Sequence, residues 1–194
     1  MVKVKQYTDE QLITRVQSMT NYNKLPSNYW ILGIRSEEDT EDTFDDKFYL
    51  FYGQKFVAVM SGTTNPGGSV LRGGFLKYNK KGAFILRSNM WYYDMWKPGK
   101  HKGVLQALVQ NTNVTGYRDG NKNGKSEEIG NVEVGMFGIN FHLNGYDIWS
   151  KLLKWSVGGW SAGCQVTNVP EKYREVIELT KNQKTISYCL LKEF

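Results

Sequence analysis

Lys47-Phe48-Tyr49-Leu50-Phe51-Tyr52-Gly53-Gln54-Lys55-Phe56-Val57-Ala58-Val59-Met60-Ser61 is the stretch that decides the fold class. Two runs rich in aromatic and β-branched residues flank Gly53-Gln54, a two-residue hairpin turn of the glycine-first kind. The spacing predicts antiparallel strands over 47–52 and 55–61. Outward from this hairpin the texture repeats: Tyr29 to Ile34, Ala83 to Leu86, Ala107 to Gln110, Val114 to Tyr117, Val134 to His142 and Lys184 to Leu191 read as short strands separated by glycine turns. Gly62 to Gly68 reads as a plain loop, because its glycines are followed by neither Gly-Lys-Ser/Thr nor a helical pattern. Many closely spaced strands predict a mainly β, mainly antiparallel domain, sandwich- or barrel-like, rather than a βαβ one. Two short peripheral helices complete it. Thr8-Asp9-Glu10-Gln11 is a capping box, and Leu12, Ile13, Val16 and Met19 follow at helical spacing, so a helix is expected over 9–20. Asn168 as cap and Pro170 introduce a second helix carrying Tyr173, Val176, Ile177 and Leu179.

A chain of 194 residues, 40% hydrophobic and 23% charged, suits one globular domain and excludes wholesale disorder, collagen-like and coiled-coil architectures. The single domain 1–194 divides into a helical segment 1–28, a β-rich half 29–98 and a half 99–194 that holds the candidate chemistry. Its longest apolar runs, such as Phe56 to Met60, fall far short of the roughly 20 residues of a membrane span. Met1 to Tyr7 contains no apolar h-region, so no secretory signal peptide is expected. Two cysteines cannot form a disulfide framework. Residues 37–46 hold seven of the nineteen acids and no base, which leaves 25 bases against 12 acids elsewhere. A basic body of this kind favours polyanionic partners: nucleic acid, anionic lipid or the polymers of a bacterial wall.

His101 and His142 are the only histidines. His142 stands where a strand runs into Leu143-Asn144-Gly145. Twenty-two residues on lies Cys164, within Gly158-Gly159-Trp160-Ser161-Ala162-Gly163-Cys164-Gln165-Val166. Small residues around a cysteine leave backbone N–H groups unshielded, as an oxyanion hole requires, and a thiol with a pKa near ~8.5 needs a base to become a nucleophile. His142 is the available base. The competing structural reading makes Cys164 a small buried hydrophobe and His142 a hydrogen-bonded strand-end residue.

His142, eighteen residues, then Ser161-Ala162-Gly163-Cys164 resembles the active-site signature of the L,D-transpeptidases, in which a His and about fourteen to seventeen further residues precede Ser/Thr-His-Gly-Cys. The resemblance covers roughly residues 99–168, with Gly135 to His142 similar to the family's lead-in strand. Peptidoglycan peptidases of gut bacteriophages carry similar Trp-Ser-x-Gly-Cys-Gln cores. The resemblance implies a β-rich cysteine peptidase or transpeptidase acting on the stem peptides of bacterial peptidoglycan, in the host cytoplasm or as part of a virion with other phage proteins. It implies Cys164 as nucleophile, His142 as base, Gly163 and Cys164 as oxyanion donors in a turn begun by Ser161, and Gly159, Trp160, Gln165 and Arg118 at the substrate. Three departures stand out, one being the slightly long gap between His142 and Ser161. Ala162 replaces the family's second histidine, and Val166 replaces a common polar residue, with Gln165 the nearest substitute. A wall-binding or virion structural module that keeps the fold without the activity is the alternative. A nucleic-acid binder is a third reading, resting on charge alone.

No cofactor is required by this chemistry. Asp119, Asn121, Asn123 and Glu127 do occupy positions 1, 3, 5 and 9 of a calcium-loop pattern, with Gly124 at position 6 and Gly130 where the twelfth position expects an acid; a weak Ca²⁺ site and a solvated turn are the alternatives. No CxxC, HxH or HExxH spacing groups His101, His142, Cys164 and Cys189 into a zinc site. Trp91 to Lys97, with Trp149, Trp155 and Trp160, offers candidate stacking surfaces for a groove. Both thiols are expected free, with Cys164 alone reactive. An unperturbed His142 predicts kcat/KM rising through about pH 6–7.

Overall fold

The computed structural model describes residues 4–194; Met1, Val2 and Lys3, the first part of the stretch read for a signal peptide, lie outside the described residues. The chain is mainly β, with elements α1 (Asp9–Gln17), β1 (Tyr29–Arg35), β2 (Asp46–Tyr52), β3 (Lys55–Thr63), β4 (Ala83–Leu86), β5 (Met90–His101), β6 (Leu105–Gln110), β7 (Val114–Asp119), β8 (Val132–Gly135), β9 (Phe141–Leu143), β10 (Gln165–Thr167), α2 (Pro170–Thr180) and β11 (Ile186–Lys192). Eight strands close a barrel in the order β1-β11-β5-β6-β9-β10-β3-β2, and β4-β7-β8 form a separate sheet. The expected hairpin is β2–β3, with Gly53 at φ 56 in its turn. Pairing is antiparallel except for β1–β11 and β9–β10, which run parallel.

Period-two alternation builds two cores from the same strands. Ile31, Phe48, Leu50, Trp96, Phe141, Tyr188 and Leu190 belong to one buried cluster. Their alternates Trp30, Leu32, Tyr49, Phe51, Cys189 and Leu191 pack instead with Leu12, Ile13 and Val16 of α1. Both faces of β1, β2 and β11 are therefore buried, which explains why these strands read as nearly continuous apolar runs. The capping box of α1 forms as expected, Thr8 Oγ1 accepting from the Gln11 amide and Gln11 Oε1 accepting from the Thr8 amide.

Several expectations are corrected. α1 ends at Gln17 rather than residue 20, Ser18 capping it onto Thr14 and Arg15 carbonyls. The strand expected over Val134 to His142 is two, β8 and β9, in different sheets, with Gly138 at φ 74 in the link. Asn168 does not cap α2: Val169 is the N-cap, while Asn168 accepts from Ser61 Oγ and donates to the Lys154 carbonyl. The boundary between 29–98 and 99–194 falls inside β5, which also contains Trp91 to Lys97, the candidate stacking surface. Trp91 and Trp96 are core residues, their indole N–H groups donating to the carbonyls of Val16 and Ile139. Among the described residues no helix is long and apolar enough to cross a membrane.

Candidate active site

The parallel pairing of β9 with β10 sets Val166 beside His142 and Gln165 beside Phe141, so Cys164, the residue before β10, arrives next to the start of β9. The Gln165 amide donating to the Asn140 carbonyl at 2.8 Å locks that approach. From the other side β6 pairs with β9, and β5 with β6, carrying His101 at the end of β5 onto His142. The two imidazole rings stack, centroids 4.0 Å apart and planes at 21°. One ring nitrogen of each histidine and the Cys164 sulfur all lie within 4.8 Å of one another, and all three residues are buried.

Ser161-Ala162-Gly163-Cys164 is a braced turn. Ser161 Oγ donates to the Cys164 carbonyl at 2.8 Å and accepts from the Gly163 amide at 3.2 Å. Phe84 of β4 donates its amide to the Ala162 carbonyl, so the second sheet props the turn from behind. Gly163 has φ 135, and a Cβ there would sit 2.5 Å from the Phe84 carbonyl oxygen; only glycine fits. Asp42, from the acidic run, pins the segment leading into this turn: it accepts from the Gly158 amide at 2.6 Å, from Gly68 at 2.9 Å and from the Ser156 hydroxyl. Burial works to raise Asp42, yet these three bonds together hold it below the usual carboxylate range.

The hydrogen bonds of the histidines assign their protons. His142 Nδ1 lies 2.9 Å from the Leu143 carbonyl, which can only accept, so Nδ1 carries the proton and Nε2 a lone pair. That Nε2 is buried and has no hydrogen-bond partner. Asn140 is oriented by the Gln110 amide, which donates to its Oδ1 at 2.9 Å; its Nδ2 then donates to His101 Nδ1 at 3.0 Å, leaving the His101 proton on Nε2. The group as folded is a thiol, an acceptor and a donor.

Burial dominates the ionisation of all three. It pushes the Cys164 thiol up to about 11, against a smaller opposing effect of the Asn140 backbone N–H. It pushes His142 down to about 3, with neighbouring His101 adding to the shift. His101 is also lowered, by burial and then by Lys102. The resting site is neutral, its thiol proton directed at the Gly138 carbonyl at 3.4 Å. The unperturbed His142 expected from the sequence is not what the fold provides, because His142 has lost access to water that would solvate its charge.

Cys164 and His101 open onto a cleft of about 650 Å³. Gly159, Trp160 and Ala162 form one wall, and Ser69 to Tyr78, including the tight helical turn Val70–Gly74, the other, with Lys77 and Lys102 at the rim. The site thus draws on residues before 99 as well as after. Of the residues expected at the substrate, Gly159 and Trp160 line this cleft and two do not. Gln165 is fully buried, accepting from the Tyr188 hydroxyl at 2.7 Å and donating to the Gly163 carbonyl at 3.2 Å, so it supports the turn from inside the barrel. Arg118 pairs with Glu133 at 3.0 Å and lies over the rings of Phe84 and Phe137, joining β7 to β8. Of the proposed Gly163 and Cys164 oxyanion donors, the first is already bonded to Ser161, while the Cys164 amide has no hydrogen bond among the described residues.

Within the 119–127 loop Asp119 Oδ2 accepts from the Glu127 amide at 3.2 Å, while Asp119 Oδ1 is buried without a partner. Asn121 and Asn123 turn their amide nitrogens to Glu127, each at 2.7 Å, and their oxygens accept from the amides of Asn123 and Lys125. These bonds close the loop as a hydrogen-bonded turn about the Glu127 carboxylate. Trp149 and Trp155 are 74% and 72% exposed and stand away from the Cys164 cleft. His101 was missed as a site residue because Pro98 and Gly99 just before it interrupt the strand pattern that would have carried β5 to the barrel end.

No protein-family model, curated protein or solved structure matches this chain.

Proposed function

We propose that the chain is a cysteine-dependent acyl transferase or peptidase acting on the stem peptides of bacterial peptidoglycan. The observation that carries this reading is His142, a ring nitrogen of which lies within 4.8 Å of the Cys164 sulfur and whose Nε2 is buried without a hydrogen-bond partner, next to a thiol that opens onto the cleft. Buried polar atoms without partners are rare in folded proteins, and one on a histidine this close to a thiol supports a role as base. The sulfur attacks a peptide carbonyl carbon, an S–C bond forms, the thiol proton passes to His142 Nε2, and the carbonyl electrons move onto oxygen. Collapse breaks the C–N bond, and the amine leaves with the proton from His142. Water or an acceptor amine then attacks the thioester, releasing Cys164 as thiol. The peptidoglycan assignment rests on the sequence resemblance, and lysines at the cleft rim suit the carboxylates of stem peptides. Incubating the protein with purified sacculi and mass spectrometry of the muropeptides tests it: new masses are expected from the wild type and none from Cys164→Ala, with sacculus pull-down retained by both. Unchanged muropeptides across several wall types overturn it. Binding without products would favour the wall-binding reading, for which the exposed Trp149, Leu152 and Trp155 are the supporting surface.

A further inference from the structure

We propose that His101 is a catalytic residue of this site, its Nε2–H donating to the oxyanion formed when Cys164 attacks a carbonyl. The inference rests on the Cys164–His142 reading above. An oxyanion is stabilised by preorganised donors, and each is worth about 10²–10³ in rate. The turn supplies fewer than its sequence promises: the Gly163 amide is committed to Ser161 Oγ at 3.2 Å, leaving the Cys164 amide. His101 offers the missing one. It lines the same cleft as Cys164, with a ring nitrogen inside the 4.8 Å group that includes the sulfur.

Its protonation is set from behind. Gln110 N–H orients Asn140, Asn140 donates to His101 Nδ1, and the ring proton is thereby fixed on Nε2, which has no hydrogen bond among the described residues. Stacking on His142 at 4.0 Å holds the ring plane. Lys102, His142 and Cys164 are the titratable groups facing it, and burial with the Lys102 charge lowers its pKa. A neutral imidazole with Nδ1 occupied is a donor and cannot compete with His142 as base. The two histidines thus divide the work by tautomer: His142 presents a lone pair and His101 a proton. Ala162 leaves the room on the turn that a side-chain donor there would take, and β5 fills the role from across the barrel.

The test compares two reactions of the same sulfur. p-Nitrophenyl acetate acylates Cys164 through a tetrahedral oxyanion, whereas iodoacetamide alkylates it without one. His101→Phe, which keeps a ring against His142 and removes the donor, is expected to lower the acylation burst rate by about 10²–10³-fold. Alkylation of Cys164 should stay at the wild-type rate, and the variant should remain folded at the assay temperature. His101→Gln, which returns an amide N–H near the Nε2 position, should recover most of the acylation rate. Acylation by His101→Phe at the wild-type rate overturns the proposal, as does a parallel fall in both reactions, which would mark His101 as structural. Loss of the burst in Cys164→Ala is the control for the underlying reading: if the burst survives there, Cys164 is not the nucleophile and that reading fails.

Discussion

Cys164 and Cys189 are both buried, both free thiols and both raised in pKa by burial, yet only one stands in a place where chemistry can happen. Cys189 sits on β11 in the cluster of Trp30, Trp91 and the apolar face of α1, fully enclosed. Its environment is that of a small hydrophobe. Cys164 has histidine ring nitrogens within 4.8 Å, a backbone N–H and a cleft beside it. Burial treats the two alike; the polar groups that the fold brings to Cys164 make the difference. A thiol that is neutral at rest can still attack when its proton has somewhere to go.

Removing that acceptor is the sharpest way to break the comparison. His142→Ala should reduce kcat/KM on released muropeptides by ~10²–10⁴-fold, the usual contribution of a general base. Slow alkylation of Cys164 should persist. Undiminished turnover in this variant would place the base elsewhere.

Differential labelling sharpens the comparison without mutation. Iodoacetamide on the folded protein, followed by peptide mapping, should modify Cys164 at least about tenfold faster than Cys189, because access and partner groups govern thiol reactivity. Cys189 should label only after denaturation. Equal labelling of the two would erase the distinction.

The smallest expected effect is on pH dependence. With His142 lowered to about 3 and Cys164 raised to about 11, both stay neutral across the ordinary range, so kcat/KM should change less than about twofold between pH 5 and 8 on their account. A rise centred near 6.5 would show a solvated imidazole instead. Stability follows the same shift with its own sign. The unfolded chain binds a proton at His142 near the ordinary pKa of about 6.5 while the folded chain refuses it until about 3, so its contribution is complete above 6.5 and is lost as pH falls towards 3. The slope is at most ~1.4 kcal/mol per pH unit for one such group. The difference between thermal melts of the wild type and His142→Ala at pH 4, 5.5 and 7 measures it, since Asp39 and Asp46, raised by burial to about 6 and about 7, titrate in the same window with the opposite sign.

Much of the barrel was legible because it is written locally. The Gly53-Gln54 turn, the apolar runs of β2 and β11 and the Thr8 capping box each depend on neighbours a few residues apart. Cys164 and His142 were legible for a related reason: small residues about a cysteine, and a histidine at a strand end, are local signals. Arg118 and Gln165 look like ligand-binding side chains in the chain. Only their partners, Glu133 with two aromatic rings for one and Tyr188 for the other, show them to be structural.

What the amino-acid sequence determined by itself is the mainly β architecture, both helices and the thiol–histidine pair, since period, capping and turn chemistry act over a few bonds. What the tertiary structure alone decided is the state of that pair. His101 comes from 41 residues before His142 by way of β5, β6 and β9, and Gln110 and Asn140 then choose its tautomer. Desolvation is likewise a property of everything packed around a group. Neither the missing charge on His142 nor the proton on His101 Nε2 exists until the barrel has closed.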